Sequence, residues 1–203
     1  MTDKLLILDG VSIYKDIKIP DLYLSSGELL WIETQNDLEA DVFVSFMFGL
    51  FPLKKGRAWF SGMSINKNTD LPISYIDLSR WHPKSDTLEG FVKTMAYAKG
   101  MQVSYVLNDF KRILEGVGAS YALDLSFDEM RSATKKIVST CITLSMPQLL
   151  MILLDPFTGL DKENSLFLAE QIKKISVDGS SFIILSDTEV PVSAKHIKMG
   201  KLL

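Results

Sequence analysis

Two short apolar runs set the frame of this chain. Residues 149–154 (LLMILL) and 181–185 (SFIIL) are continuous rather than alternating, as strands read when both faces of a parallel sheet are covered. Between them Leu168, Ile172 and Ile175 recur at helical spacing. Strand, helix and strand in that order make one parallel crossover unit. The chain is therefore expected to be an α/β protein.

The remaining segments add to that frame. Strand-like runs at 4–14 and 18–33 are broken at Gly10, Pro20 and Gly27, and a short loop, 34–36, follows. Residues 42–53 (VFVSFMFGLFPL) form the longest apolar stretch, about 12 residues. As a helix it would span about 18 Å, against about 30 Å of bilayer hydrocarbon, so a buried helix and not a membrane span is expected. Further strands are expected at 56–65 and 71–77, where Trp59 reads as core, as Trp31 does earlier. From 85 to 146 the period becomes helical: Leu88, Phe91, Val92 and Met95, then Val106, Phe110, Ile113, Leu114 and Val117, then Met130, Ala133, Ile137, Cys141 and Leu144. No repeat or Pro/Gly/Ser linker interrupts the chain, which points to one domain over 1–203 with a helical subdomain at about 79–146.

Composition excludes several classes of function. Lys and Arg total 22 against 25 Asp and Glu, a net charge of −3, which leaves no electrostatic footprint for nucleic acid. One cysteine, Cys141, cannot form an intramolecular disulfide and suits a reducing, cytoplasmic compartment. The first residues lack a signal peptide's apolar segment. With two histidines, His82 and His196, a His/Cys zinc site is nearly excluded, and no metal site is expected.

Three segments carry a family resemblance. Residues 27–62 (GELLWIETQNDLEADVFVSFMFGLFPLKKGRAWFSG) align without a gap onto a strand, phosphate loop, helix and strand. Residues 153–161 (LLDPFTGLD) match a Walker B strand end and D-loop, and 196–203 (HIKMGKLL) a shortened final hairpin. On these the chain resembles, from end to end, the ATP-binding subunit (nucleotide-binding domain) of ABC transporters. The resemblance implies a P-loop NTPase-like core with a mainly parallel sheet, an N-terminal antiparallel β subdomain and an inserted helical subdomain.

The family's chemical groups do not follow its framework. Its phosphate loop, G-x-x-G-x-G-K-[ST]-T, points backbone N–H groups at phosphates, reaches them with Lys and holds Mg²⁺ with a hydroxyl. The corresponding residues 34–42 are TQNDLEADV. Ala40 stands for the Lys and Asp41 for the hydroxyl, Val42 follows, and Asp37, Glu39 and Asp41 bring carboxylates where a polyanion would lie. Asn36 and Glu39 have capping-box spacing, so the loop's N–H groups are expected to be satisfied from within. A divalent cation on Asp37, Glu39 and Asp41 is the alternative. The Walker B position is Asp155, but Pro156 follows where the family has its catalytic Glu. Leu78 stands at the Q-loop glutamine and Asp187 at the switch histidine. The LSGGQ motif has no counterpart; residues 129–133 fall in its place.

Other positions keep family character. Tyr14 stands about where an aromatic stacks on adenine, or else simply packs. Thr158, Gly159, Leu160 and Asp161 retain the D-loop, which implies a dimer contact, unless Asp161 is only a helix N-cap. Trp81 and His82 stand where the family's groove receives a membrane subunit, and would suit a partner surface. Lys135 and Lys136 read as a solvated helix face.

The resemblance then implies a pseudo-ATPase, a structural or regulatory partner of an intact ABC ATPase subunit or of a transporter membrane subunit, with a homodimer also open. It would be cytoplasmic or peripheral on the membrane through that partner. No cofactor is expected, MgATP entering only if the vestigial site still binds it. A slow or partner-completed ATPase and a stand-alone scaffold on the same fold are the alternatives.

Overall fold

The computed structural model describes residues 4–13, 17–65, 71–83 and 87–199. Two sheets divide the strands. The first is antiparallel, with β1 (Lys4–Ser12), β2 (Leu22–Ser25), β4 (Lys55–Phe60) and β5 (Met63–Ser64) in the order β2-β1-β4-β5. The second is parallel throughout: β6 (Ile73–Ser74), β7 (Leu150–Leu154), β8 (Ser181–Ser186), β3 (Leu29–Glu33) and β9 (Lys195–Lys198), in the order β6-β7-β8-β3-β9. The two apolar runs that framed the sequence are the adjacent strands β7 and β8, buried at every position.

Why they are continuous is visible in their packing. Met151, Leu153, Phe182 and Ile184 face a core built with α2 (Leu88–Ala98), α3 (Val103–Gly116), α4 (Ser132–Ser145) and α5 (Lys162–Val177). Leu150, Ile152, Leu154, Ile183 and Leu185 face the opposite core, built with α1 (Asp37–Met47) and the antiparallel sheet. Each such apolar side chain contributes about 1.5–3 kcal/mol when fully buried, which is why polar residues in β8 are confined to its ends, Ser181 and Ser186.

Three local expectations change. The apolar stretch at 42–53 is helical only in its first half: α1 begins at Asp37 and ends at Met47. Gly49, at φ +70°, turns the chain while the Leu50 N–H donates back to the Ser45 carbonyl, a Schellman-type stop that a β-carbon would oppose. The strand expected at 71–77 pairs only at Ile73 and Ser74. Of the final hairpin expected at 196–203, residues 196–198 lie in β9, parallel to β3, and 200–203 lie outside the described residues. Trp59 is not core: it is 43% exposed, because Ala58 and Phe60 take the inward positions of β4. Among the described residues no helix is long and apolar enough to cross a membrane.

Candidate functional site

In open α/β sheets, ligands bind beyond the carboxyl ends of the strands. Here those ends belong to β3, β7 and β8, and three residues, 34–36, separate the end of β3 from the start of α1. Asn36 is the N-cap: its Oδ1 accepts from the Glu39 N–H at 3.1 Å, while Glu39 Oε2 accepts from the Gln35 N–H at 2.7 Å. This is the reciprocal capping that the Asn36/Glu39 spacing predicts, with Glu39 reaching one residue further back than the usual box. Glu39 is only 3% exposed, so the carboxylate that takes up the Gln35 N–H belongs to a buried residue. The first turn occupies residues 37–39, and an acidic first turn is favoured by the positive end of the helix dipole.

Ala40 and Val42 are buried in the core shared by α1 and the antiparallel sheet. Asp41 is directed elsewhere: its Oδ1 pairs with an Arg80 guanidinium nitrogen. Arg80 Nε also pairs with Asp77 Oδ2 at 3.0 Å, so one guanidinium joins two carboxylates. Asp77 is further held by the Tyr75 hydroxyl at 3.2 Å and by the Ser79 N–H at 2.9 Å. Burial first, then the Asp77 charge, pushes the Tyr75 phenol well above its ordinary range, so it remains a donor.

Asp155 follows β7 and is buried, at φ +43°, a left-handed conformation uncommon for a residue other than glycine. Its N–H donates to the Leu185 carbonyl at 2.8 Å, tying the turn to β8. Its Oδ2 accepts from Lys136 Nζ at 2.6 Å. Lys136 is therefore not part of a solvated face: its side chain is 17% exposed and spans from α4 to the sheet. Burial alone would lower its pKa, but the hydrogen bond and charge of Asp155, with Asp37 and Asp77 beyond, raise it overall.

The other predicted positions disperse. Leu78 is buried in the helical core and its N–H donates to Ser139 Oγ at 2.9 Å. Asp187 is exposed beyond β8. Tyr14 lies outside the described residues. Asp161 caps α5, its Oδ1 accepting from the Asn164 N–H at 2.8 Å. Thr158 and Gly159 are exposed, and Leu160 packs partly against the helical core. Trp81 is 66% exposed, whereas His82 is half-buried, its Nε2 2.9 Å from Asp128 Oδ1 and its ring stacked on Phe127. Among the described residues no three acidic, His or Cys side chains are placed to hold a metal ion, and Glu39 and Asp41 face different partners.

The groups that sequence reasoning missed are the cations. Arg80 and Lys136 complete the charge pattern around Asp41, Asp77 and Asp155. The α1 N-terminus is thus an arrangement in which the Gln35 and Glu39 N–H groups are capped and Asp41, Asp77 and Asp155 are paired with cations of the same chain.

No protein-family model matches the chain, and no curated protein matches it in sequence. Solved structures do match in fold. A protein from Pyrococcus furiosus assigned as an ABC transporter ATP-binding protein superposes with a TM-score of 0.73 at 18% identity, over 96% of each chain. An ATP-binding subunit of an ABC transporter gives a TM-score of 0.72 at 16% identity, over 90% of this chain and 79% of the other. A chain of an inward-facing transporter assigned to the metal-chelate type of ABC transporter gives 0.70 at 12% identity, over 99% and 82%. The chain has the fold of the ATP-binding subunit of ABC transporters.

Proposed function

We infer that this protein is a pseudo-ATPase on that fold: a structural or regulatory subunit, on the cytoplasmic side of a membrane, that pairs with an intact ATPase subunit or a transporter membrane subunit and does not itself turn over ATP. The observation that carries this reading is the capping at Asn36 and Glu39. A helix N-terminus binds phosphate with free N–H groups and a favourable dipole. Here the Glu39 and Gln35 N–H groups are already occupied, and the occupant of the second is a buried carboxylate. Lys136 adds to this by holding the one carboxylate, Asp155, that stands at the Walker B position. No side chain follows Asp155 that could orient an attacking water, since Pro156 comes next. Partner contacts at Trp81 and His82, and at Thr158, Gly159, Leu160 and Asp161, rest on the family resemblance; the exposure of Trp81 favours the first.

Calorimetric titration of the purified chain with near-millimolar MgATP tests the reading. No saturable binding is expected, and Ala40→Lys is expected not to create it, because position 40 is only 1% exposed and points into the core. Micromolar MgATP affinity, or turnover by the pure chain that disappears in Asp155→Ala, would overturn the proposal. Turnover appearing only when a partner subunit is added, and lost on changing Asp155, would replace it with the partner-completed ATPase.

A further inference from the structure

Helix α5 leaves one stripe of its surface uncovered. Its inward side buries Leu168, Ile172 and Ser176. One flank meets α3, where Arg112 donates to Gln171 Oε1 at 2.9 Å. What faces outward is Leu166, Glu170, Lys173 and Val177, at spacings of four, three and four, which on a helix make one straight face. Leu166 is 50% exposed and Val177 79%, high values for aliphatic side chains. The other flank is a groove of about 380 Å³ between α5 and residues 191–193, walled by Leu29, Pro191 and Val192 and reaching both Leu166 and Val177.

The order of residue types along this stripe is its own complement. Leu166 and Val177 stand equally far from the midpoint between residues 171 and 172, and so do Glu170 and Lys173. An identical helix turned end over end about that midpoint therefore sets aliphatic side chain on aliphatic side chain and carboxylate on ammonium, each contact made twice. This is the condition for an isologous, twofold interface. The four-three-four spacing is also that of the seam between two coiled helices. Among the described residues, neither Glu170 nor Lys173 has an ion-pair partner within the chain, so both are free to pair outside it. Laid parallel instead, two such stripes would set Glu170 on its own copy and Lys173 on its own, and like charges repel.

We propose that this face binds a second copy of the chain, α5 lying antiparallel to α5 across a twofold axis, with Leu166 on Val177 of the partner subunit and Glu170 on Lys173 of the partner subunit. The pair closes over the groove beside each helix. One helix pair buries less than the roughly 800 Å² per partner of a standard interface, so a weak dimer is expected, with a Kd of about 10–100 μM. The stripe includes none of Thr158, Gly159, Leu160 and Asp161, where the family resemblance implies a dimer contact. Nor does it rest on the MgATP reading, since none of its residues caps α1 or pairs with Asp155.

The test is sedimentation of the full chain from low micromolar to near-millimolar concentration, where a monomer–dimer equilibrium is expected. Glu170→Lys and Lys173→Glu should each weaken it by about tenfold or more, because each leaves two like-charge contacts in the dimer. The combined reversal Glu170→Lys/Lys173→Glu should restore the wild-type affinity, and the two single variants, mixed, should associate with each other although neither associates with itself. Both positions are exposed, so the variants should keep the wild-type melting temperature of the monomer. Register is read by oxidation: Leu166→Cys mixed with Val177→Cys should form an intermolecular disulfide, and Leu166→Cys alone should not, since its two copies stand about 16 Å apart along the pair. Cys141 is buried and does not compete. A monomer at every concentration overturns the proposal. So does a dimer that the single reversals leave intact, or one that the combined reversal fails to restore, for either places the contact on another face. Cross-linking of Leu166→Cys to itself, with none to Val177→Cys, overturns the antiparallel arrangement.

Discussion

The α1 N-terminus and the end of β1 are finished differently. At α1 two backbone N–H groups and three carboxylates have partners: Asn36 and Glu39 take up the N–H groups, Arg80 spans Asp41 and Asp77, and Lys136 holds Asp155. At the end of β1, among the described residues, the buried Ser12 hydroxyl has no hydrogen-bond partner. An unpaired buried donor costs about 1–3 kcal/mol, whereas a satisfied cap contributes stability. The first region is thus built for the folded state, and the second carries a cost that folding does not explain. Fold likeness alone would have directed attention to the first.

The largest expected effect comes from the irregular β1–β4 pairing at the end of β1. A β-carbon on Gly56 would stand 2.3 Å from the Gly10 carbonyl oxygen and 2.5 Å from that of Asp9, both backbone atoms that cannot step aside. With the positive φ of +87° added, Gly56→Ala should destabilise the protein by about 3 kcal/mol in urea unfolding. A neutral result would mean that the strand row around Ser12 is not fixed by this contact.

Next is Lys136. Truncating one partner of a fully buried pair costs about 3–5 kcal/mol; with the two side chains 17% and 11% exposed, about 2 kcal/mol is expected for Lys136→Met. Lys136→Met with Asp155→Asn should recover about half of that, a coupling read from a double-mutant cycle. The sign with pH follows from its raised pKa. The contribution is complete below the ordinary lysine value of 10.5 and is lost as pH rises through the higher folded value. The stability gap between wild type and Lys136→Met should therefore stay constant near neutrality and narrow only above pH 10.5. A gap that closes below pH 9 would show that burial and not Asp155 governs the Lys136 charge, and a gap that does not narrow above pH 10.5 would show that Lys136 acts by packing.

How much of this was legible in the sequence follows from what each residue answers to. β7 and β8 were readable because burial on both faces leaves a continuous apolar run, and α2, α3 and α5 because one face repeats. The Asn36–Glu39 cap was readable because it is a contact over three residues. β9, with the sequence KHIK, was not: it is a largely exposed edge strand whose place is set by backbone pairing to β3 rather than by its side chains. Trp59 was misread by residue type, although the alternation with Ala58 and Phe60 gives its outward face. Lys136 and Arg80 were invisible as site residues, because their partners Asp155 and Asp41 lie far along the chain and meet them only when α4 and the turn at 78–80 pack on the sheet. The unpaired Ser12 hydroxyl was invisible for the same reason, strand register being a tertiary outcome.

A smaller effect tests the cap. Asn36→Ala removes the acceptor for the Glu39 N–H and should cost about 1 kcal/mol, measurable as a shift in the urea midpoint at constant m. If the capped end is what excludes nucleotide, Asn36→Ala should still bind no MgATP, because Glu39 remains buried on the Gln35 N–H. The smallest effect belongs to Arg80. Its side chain is 45% exposed and joins a half-screened carboxylate to a buried one, so Arg80→Met should lose no more than about 1 kcal/mol. Its charge consequence is larger than its stability consequence. Without the guanidinium, Asp41 and Asp77 are left with no cation between them, and Mg²⁺ alone should then stabilise the variant against heat while leaving the wild type unmoved. Should Mg²⁺ stabilise both equally, Arg80 is not what fills the α1 site, and the contrast between a finished region and an unfinished one would have to rest on Lys136 and the cap.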